Sequence, residues 1–268
     1  MRKIYGWTAV AVLAGGFLGS VTGLTGCKSS DAVKQSAEGN APAAPAPAPL
    51  DPSTLGMASG TIRFQGKAPA PVKIDMSMDP VCSMMGGDNF AEQYAVHDGK
   101  LANVYVYIKS GPPAAMSATG PAWPPVVVDQ VGCKYTPHVI ALMRGGSVEF
   151  RNSDSTMHNI HTLPTASGSQ SIDISQGPKG APQVKQFNQP EVMIPVRCNN
   201  HPWMNAFINV SATPFFAVTG DDGHFDLSGL PAGTYTLAAV HEKMGEQTLT
   251  VTVEPKGTAH ADFSFSAK

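Results

Sequence analysis

The sequence has few charged residues and no excess of either sign. Charged side chains make up 14% of the chain, and the formal net charge is −2 at pH 7. A protein that binds nucleic acid through its phosphates needs clustered lysine and arginine, and the chain contains no such stretch. We therefore expect no nucleic-acid partner.

Sustained helical periodicity is also lacking. Short runs rich in β-branched and aromatic residues alternate with turn-forming sequence, and the chain contains 27 glycines and 23 prolines. This pattern is typical of strands joined by turns, and we predict an all-β chain. The predicted strands are residues 60–64, 102–108, 125–129, 138–143, 147–152, 192–198, 206–210, 233–240 and 247–253.

One predicted strand alternates cleanly. Val148 and Phe150 should face a core, while Glu149 and Arg151 should face water, because successive side chains of a strand point to opposite faces. The preceding Arg-Gly-Gly at residues 144–146 predicts a hairpin turn.

The longest apolar run lies at the N-terminus. Residues 1–26 begin Met-Arg-Lys and continue through an apolar, glycine-broken segment, which predicts a secretory signal peptide. A membrane helix is the alternative, because the segment is nearly long enough to span a bilayer. Residues 27–56 are rich in alanine and proline and predict an extended tether.

The end of this segment, Leu-Thr-Gly-Cys at residues 24–27, resembles the lipobox of bacterial lipoproteins. The resemblance implies that Cys27 is lipidated and anchors the protein to a bacterial membrane on its periplasmic side. Lys28, which follows it, is a weak sign of the outer membrane in that family.

Cysteine is scarce, with four in the chain. Export would place them in an oxidising compartment, where disulfides persist. If Cys27 carries lipid and Cys198 has a use of its own, Cys82 and Cys133 remain as a disulfide pair.

A loop near residue 200 combines three soft or borderline metal ligands. Cys198, His201 and Met204 lie within seven positions. A blue-copper site uses two histidines, one cysteine and a distant methionine, so one more imidazole is required. His158 and His161 are the candidates. They should point to opposite faces of a strand, and we favour His158.

These pieces together resemble the cupredoxins, the type 1 copper proteins that include plastocyanin, pseudoazurin and amicyanin. His158-Asn159-Ile160 fits the first-ligand pattern of that family, and the Cys-x-x-His-x-x-Met spacing equals that of the short amicyanin loop. The resemblance implies a Greek-key β-sandwich over residues 113–212. It also implies one type 1 copper ion that carries single electrons to or from a redox protein partner, with the ligands His158, Cys198, His201 and Met204.

The same resemblance implies roles for neighbouring residues. Asn159 would tie the ligand loops together and donate a hydrogen bond toward the sulfur. Asn200 stands where related loops often have proline, so its backbone N–H could reach the Cys198 thiolate and raise the reduction potential. Pro202 and Trp203 would flank the emerging edge of His201 as a partner-docking face, and core packing is the alternative for Trp203.

The C-terminal part resembles a second β-sandwich family. Asp-Asp-Gly at residues 221–223, Phe225 and Leu-Pro-Ala-Gly-Thr-Tyr at residues 230–235 resemble the carboxypeptidase regulatory-like, or transthyretin-like, β-sandwich. We assign residues 213–268 to it, and residues 57–112 resemble its opening strands. Either the middle of the chain is inserted into this sandwich, or two sandwiches follow in tandem.

Other functions compete with electron transfer. Zinc also binds cysteine and histidine, although methionine suits it poorly. A Cys–His hydrolase would need an orienting acid that the sequence does not identify, so we expect no enzyme. Copper storage or delivery is an alternative, because methionines surround Cys82 and clustered thioethers bind Cu(I), and a structural envelope lipoprotein is another. The methionines are Met76, Met78, Met84 and Met85.

Overall fold

The structure is a computed structural model, and it describes residues 50–85 and 89–267. The predicted signal peptide, Cys27 and most of the predicted tether lie outside these residues. None of the helices in the described ranges is long and apolar enough to cross a membrane.

The described chain consists of strands with two short helices, and the all-β prediction is confirmed. The first part contains β1 (Gly56–Phe64), α1 (Pro80–Met84), β2 (Val96–His97), β3 (Lys100–Leu101), β4 (Tyr105–Ser110) and α2 (Pro113–Met116). The middle part contains β5 (Val126–Gln130), β6 (Tyr135–Thr136), β7 (Val139–Met143), β8 (Ser147–Asn152), β9 (His158–Thr162), β10 (Asp173–Gln176), β11 (Gln183–Gln186), β12 (Glu191–Arg197) and β13 (Asn205–Ser211). The last part contains β14 (Phe216–Val218), β15 (His224–Leu230), β16 (Gly233–His241), β17 (Gly245–Val253), β18 (Thr258–His260) and β19 (Phe263–Phe265).

The first and last parts of the chain form one sandwich, which we call the split sandwich (β1–β4 and β14–β19). One of its sheets has the order β15-β1-β3-β2, with β18 and β19 also paired to β1, and the other has the order β14-β4-β16-β17. Strands from both sides of the middle part therefore pair within the same two sheets. This pairing is the one expected of an insertion.

The middle part forms a second sandwich, which we call the middle sandwich (β5–β13). Its sheets have the orders β10-β9-β12-β13-β7 and β11-β8-β5-β6. In β8, Val148 and Phe150 are fully buried, Glu149 is half-buried and Arg151 is exposed. The alternation predicted for this strand is confirmed.

The hairpin predicted at residues 144–146 is wrong. The turn is present, with Gly145 in the left-handed region at φ 82°, but β7 and β8 belong to opposite sheets. The backbone N–H of Arg144 donates to Ser211 in one sheet, while that of Gly145 donates to Phe187 beside the other. The segment thus arches across the core, because each strand finds a non-local partner.

A buried pair joins the two sandwiches. His138 precedes β7, and Glu242 lies in the turn after β16. The two side chains are 5% and 4% exposed, and His138 Nε2 lies 2.5 Å from Glu242 Oε1. The other ring nitrogen of His138 is 3.2 Å from the backbone oxygen of Asn205.

The neighbouring His241 should make stability depend on pH. This side chain is 1% exposed, and burial lowers its pKa from 6.5 to about 4. As pH falls, His241 of the unfolded chain is protonated at a higher pH than His241 of the folded chain. The free energy of unfolding should therefore fall as pH drops from about 6.5 to about 4. This contribution amounts to about 3 kcal/mol. Urea unfolding across this range measures it.

The matched variant is His241→Phe, which keeps a ring against Tyr94 and Phe265 but cannot titrate. Carboxylates titrate in both proteins, so the difference between the two pH profiles isolates His241. Superimposable profiles would contradict the prediction.

Candidate metal centre

The predicted ligands lie at one end of the larger sheet of the middle sandwich. Cys198, His201 and Met204 lie in the loop between β12 and β13, which pair antiparallel with Arg197 opposite Asn205. His158 is the first residue of β9, which pairs with β12 on its other side. Strand pairing thus brings two distant pieces of sequence together.

Three nitrogen and sulfur atoms converge in the interior. The Nδ1 atoms of His158 and His201 are 2.9 Å apart, and Cys198 Sγ is 3.5 Å from His201 Nδ1. The ligand atoms of these three residues all lie within 4.8 Å of one another. All three side chains are buried, at 0%, 3% and 5% exposure for His158, His201 and Cys198.

Met204 completes the predicted set from the same loop. Its side chain is 1% exposed and belongs to the hydrophobic core that also contains Cys198. The loop folds back on itself, since Met204 N–H donates to His201 and its backbone oxygen accepts from Cys198 N–H.

The competing histidine lies elsewhere. His161 is half-buried, and its Nδ1 is 3.0 Å from Asn199 Oδ1. The structure brings His158, and not His161, to Cys198.

Several donors surround the Cys198 sulfur. Burial raises the pKa of this thiol, but the neighbouring His158 ring and three backbone N–H groups outweigh burial and lower it to about 7. A thiolate is the form of cysteine that binds metals. The backbone donors are Asn159, Asn200 and His201.

Asn159 links the site to the next strand. Its backbone N–H lies 3.4 Å from Cys198 Sγ, while its side-chain amide donates to Asp173 and to the backbone of Ile174. Its side-chain oxygen accepts from Asn199 N–H at 3.4 Å. The side chain therefore ties β9 to both β10 and the ligand loop.

Two carboxylates that the sequence analysis missed contact the far sides of the histidine rings. His158 Nε2 is 2.8 Å from Asp154 Oδ2, and His201 Nε2 is 3.0 Å from Asp79 Oδ2. Burial raises the pKa of Asp79, but hydrogen bonds, first that of His201, lower it to about 2. For His158, burial lowers the pKa, whereas Asp154 and Cys198 together raise it to about 9.

The sequence contained a signal for one of the two carboxylates. An aspartate followed by proline commonly starts a helix, and Asp79 is the N-cap of α1. Nothing local marks Asp154, which lies in the connection between β8 and β9.

The predicted cysteine pair is joined in a disulfide beside these carboxylates. Cys82 lies in α1 and Cys133 in the turn before β6, and both are buried. Cys82 Sγ is 3.9 Å from His201 Nε2. A segment before β2 thus covers a site that otherwise belongs to the middle sandwich.

The residues present fit a soft metal ion such as copper. Two imidazole nitrogens, a thiolate and a thioether are the donor set of type 1 copper sites, and Met204 offers the thioether from the same loop as Cys198 and His201. Each histidine also has a carboxylate on its remaining nitrogen, which is the usual surrounding of a metal-binding imidazole.

Comparisons with known proteins bear on both sandwiches. Residues 196–266 match the model of the carboxypeptidase regulatory-like domain. The match begins in β12 and includes the ligand loop, although β12 and β13 pair within the middle sandwich. No curated protein matches the chain.

Solved structures with some likeness to the chain include copper proteins. The Cu-containing nitrite reductase from Thermus scotoductus SA-01 is 25% identical with a TM-score of 0.31, over 37% of this chain and 25% of that one. A Cu(I) amicyanin with one methionine replaced by alanine is 21% identical with a TM-score of 0.30, over 40% of this chain and 98% of that one. An oxidised amicyanin with one proline replaced by alanine has the same identity and coverage and a TM-score of 0.29. The chain therefore spans only a quarter of the nitrite reductase.

The expected surface edge of His201 is not observed. Its ring is 3% exposed because Asp79, the disulfide and Trp203 cover it. The Trp203 ring centroid lies 5.0 Å from that of His201, and its indole N–H donates to the backbone of Cys133. Trp203 therefore packs between the ligand loop and the disulfide, while Pro202 is exposed.

The four methionines around Cys82 divide into two kinds. Met76 is buried beside the disulfide, and the sulfur of Met85 lies 3.8 Å from Cys133 Sγ. Met78 and Met84 are 72% and 76% exposed.

The Asn200 backbone donor leads to a testable prediction. Asn200→Pro removes the backbone N–H that donates to the Cys198 sulfur. This hydrogen bond should stabilise the reduced form most, because the sulfur carries the most negative charge in that form. We expect a lower reduction potential for the copper-loaded protein by tens of millivolts, since a tenfold change in a one-electron equilibrium corresponds to about 59 mV. Voltammetry measures the shift.

Asn200→Ala is the matched control, because it removes the side chain and keeps the N–H. Its potential should equal that of the wild type. An unchanged potential in the proline variant would show that the Asn200 N–H does not affect the reduction potential.

Proposed function

We propose that the protein binds one copper ion through His158, Cys198, His201 and Met204 and carries single electrons between redox partners. The observation that carries the proposal is the convergence of two Nδ1 atoms and one sulfur in a buried site. When bound there, copper would supply a one-electron couple.

The described residues around the proposed metal position leave no opening for water or a substrate. Cys198 supplies a thiolate whose backbone donors stabilise its charge, and the two imidazoles are each held by a carboxylate. The burial of the three converging side chains excludes water. Because a substrate would need an accessible position at the metal, we propose an electron carrier and not an enzyme.

The lipobox-like segment and the tether support a proposal for how the protein is anchored. We propose that Cys27 is lipidated and holds the protein at the periplasmic side of a bacterial membrane, with the outer membrane favoured. The Ala/Pro-rich tether would then let the folded part reach a redox protein partner.

The test uses the soluble chain from Lys28 onward, loaded with Cu(II). We expect an intense visible thiolate-to-copper absorption band and a small copper hyperfine splitting in electron paramagnetic resonance, both abolished by Cys198→Ala. Stoichiometry should be one copper ion per chain.

Other outcomes identify the competing functions. A colourless protein that binds zinc more tightly than copper would indicate a zinc site. Copper binding that survives Cys198→Ala would favour copper handling through the methionines near Cys82. Absence of metal binding would leave a structural envelope protein.

A further inference from the structure

Asp79 contacts two different kinds of group. Its Oδ1 accepts hydrogen bonds from the backbone N–H groups of Val81 and Cys82, at 2.7 and 3.1 Å, as the N-cap of α1. Its Oδ2 accepts from the Thr156 hydroxyl at 2.9 Å and lies 3.0 Å from His201 Nε2. One carboxylate therefore joins α1 to the ligand loop.

Asp154 repeats this arrangement on the other histidine. Its Oδ1 and Oδ2 accept from the backbone N–H groups of Gly132 and Cys133, both at 2.8 Å. Its Oδ2 also lies 2.8 Å from His158 Nε2. The backbone that holds each carboxylate thus includes one half-cystine, Cys82 for Asp79 and Cys133 for Asp154, and these two are joined covalently.

We propose that Asp79 and Asp154 are positioning residues that direct both histidine Nδ1 atoms to the metal, and that the Cys82–Cys133 disulfide holds the two carboxylates as one unit. The proposal rests on the proposed copper-binding function. It also explains why a segment outside the middle sandwich covers the site.

A carboxylate can control which histidine nitrogen carries the proton, because it has hydrogen-bond acceptors and no donor. An ionised carboxylate can only accept hydrogen bonds, so the Nε2 atom facing it must carry the proton. A histidine binds a metal in its neutral form, in which a proton on Nε2 leaves the lone pair on Nδ1. The Nδ1 atoms are the ones that converge beside Cys198.

Asp79→Asn tests tautomer control without removing the helix cap. The asparagine oxygen can still accept from Val81 and Cys82, because asparagine is as good an N-cap as aspartate. Its amide N–H₂ then faces His201 Nε2 and favours the proton on Nδ1. The reverse amide orientation would place N–H₂ against two backbone donors, so it is disfavoured.

The readouts are imidazole ¹⁵N NMR of the metal-free protein and copper affinity measured by chelator competition. We expect the His201 proton to move from Nε2 to Nδ1 and the copper affinity to fall about 10- to 100-fold. A variant in which His201 keeps its proton on Nε2 and the affinity is unchanged would overturn the proposal. If the wild type bound no copper, the proposed function would fail, and the NMR result would still decide tautomer control.

The control is Glu242→Gln, which alters another buried histidine–carboxylate pair, that of His138. It should leave the His201 NMR signals and the copper affinity unchanged, even where stability falls. An equal loss of affinity in this variant would mean that the Asp79 effect is only structural.

The disulfide is tested by the double variant Cys82→Ser with Cys133→Ser, first checked for folding by circular dichroism. A folded variant should bind copper at least about 10-fold more weakly, because its two carboxylates are no longer joined. A folded double variant that binds copper as tightly as the wild type would show that the disulfide is not needed to position the two carboxylates. Should the variant fail to fold, Asp79→Asn remains decisive for the carboxylates.

Discussion

His158→Ala is expected to abolish the thiolate-to-copper absorption band, whereas His161→Ala should leave it intact. The two histidines are three positions apart in β9, yet only the His158 ring nitrogen lies 2.9 Å from His201 Nδ1. Its side chain is 0% exposed, so alanine there removes a ligand and leaves a space beside the remaining two. A copper ion held by fewer protein ligands loses the near-trigonal geometry of type 1 sites.

The measurement is a copper titration of both variants beside the wild type, followed by absorption and electron paramagnetic resonance. His161→Ala is the matched control, because it removes the same side chain from the same strand, at a ring that is hydrogen-bonded to Asn199 and not to the site. A band lost in His161→Ala and retained in His158→Ala would reverse the ligand assignment.

Phe150→Ala is expected to lower the free energy of unfolding by about 3–5 kcal/mol, the usual cost of truncating a buried aromatic side chain. Phe150 is 0% exposed at the centre of the middle sandwich, where it packs in one cluster with Val148 and Ile160. Close-packed interiors collapse only partly around a deletion, so a cavity term adds to the lost hydrophobic transfer energy.

Arg151→Ala, one residue further along β8, is the matched control. Its side chain is 47% exposed and forms an ion pair with Glu149, an interaction worth at most about 1 kcal/mol at a surface. Urea unfolding of the metal-free variants gives both values. Equal losses in the two variants would contradict the inside–outside alternation of this strand.

Local sequence rules succeeded where the deciding interactions are local. The alternation in β8 follows from strand geometry alone, and the bounds of this strand, Ser147–Asn152, match the predicted residues 147–152. The spacing of Cys198, His201 and Met204 lies within one loop, so it could be read without knowledge of the fold. The pairing of Cys82 with Cys133, 51 positions apart, followed by elimination, with Cys27 assigned to the lipid anchor and Cys198 to the ligand loop.

The same rules failed where the partner of a segment lies far away in the chain. The Arg-Gly-Gly turn is compatible with a hairpin and with an arch, and only the distant partners of β7 and β8 distinguish them. The burial of His201 depends on Asp79, 122 positions earlier. A pattern within the ligand loop cannot predict that cover.

By itself, the sequence determined the strand-rich class and the ligand loop, because periodicity and ligand spacing are properties of short segments. It also determined the cysteine pair, because only Cys82 and Cys133 remain once Cys27 and Cys198 have other uses. The tertiary structure decided that the middle sandwich lies within a split one and that His158 is the histidine beside Cys198. It also decided that two carboxylates hold the ligand histidines. These outcomes depend on strand pairing and side-chain contacts between segments far apart in the chain, which are settled only when the whole core packs.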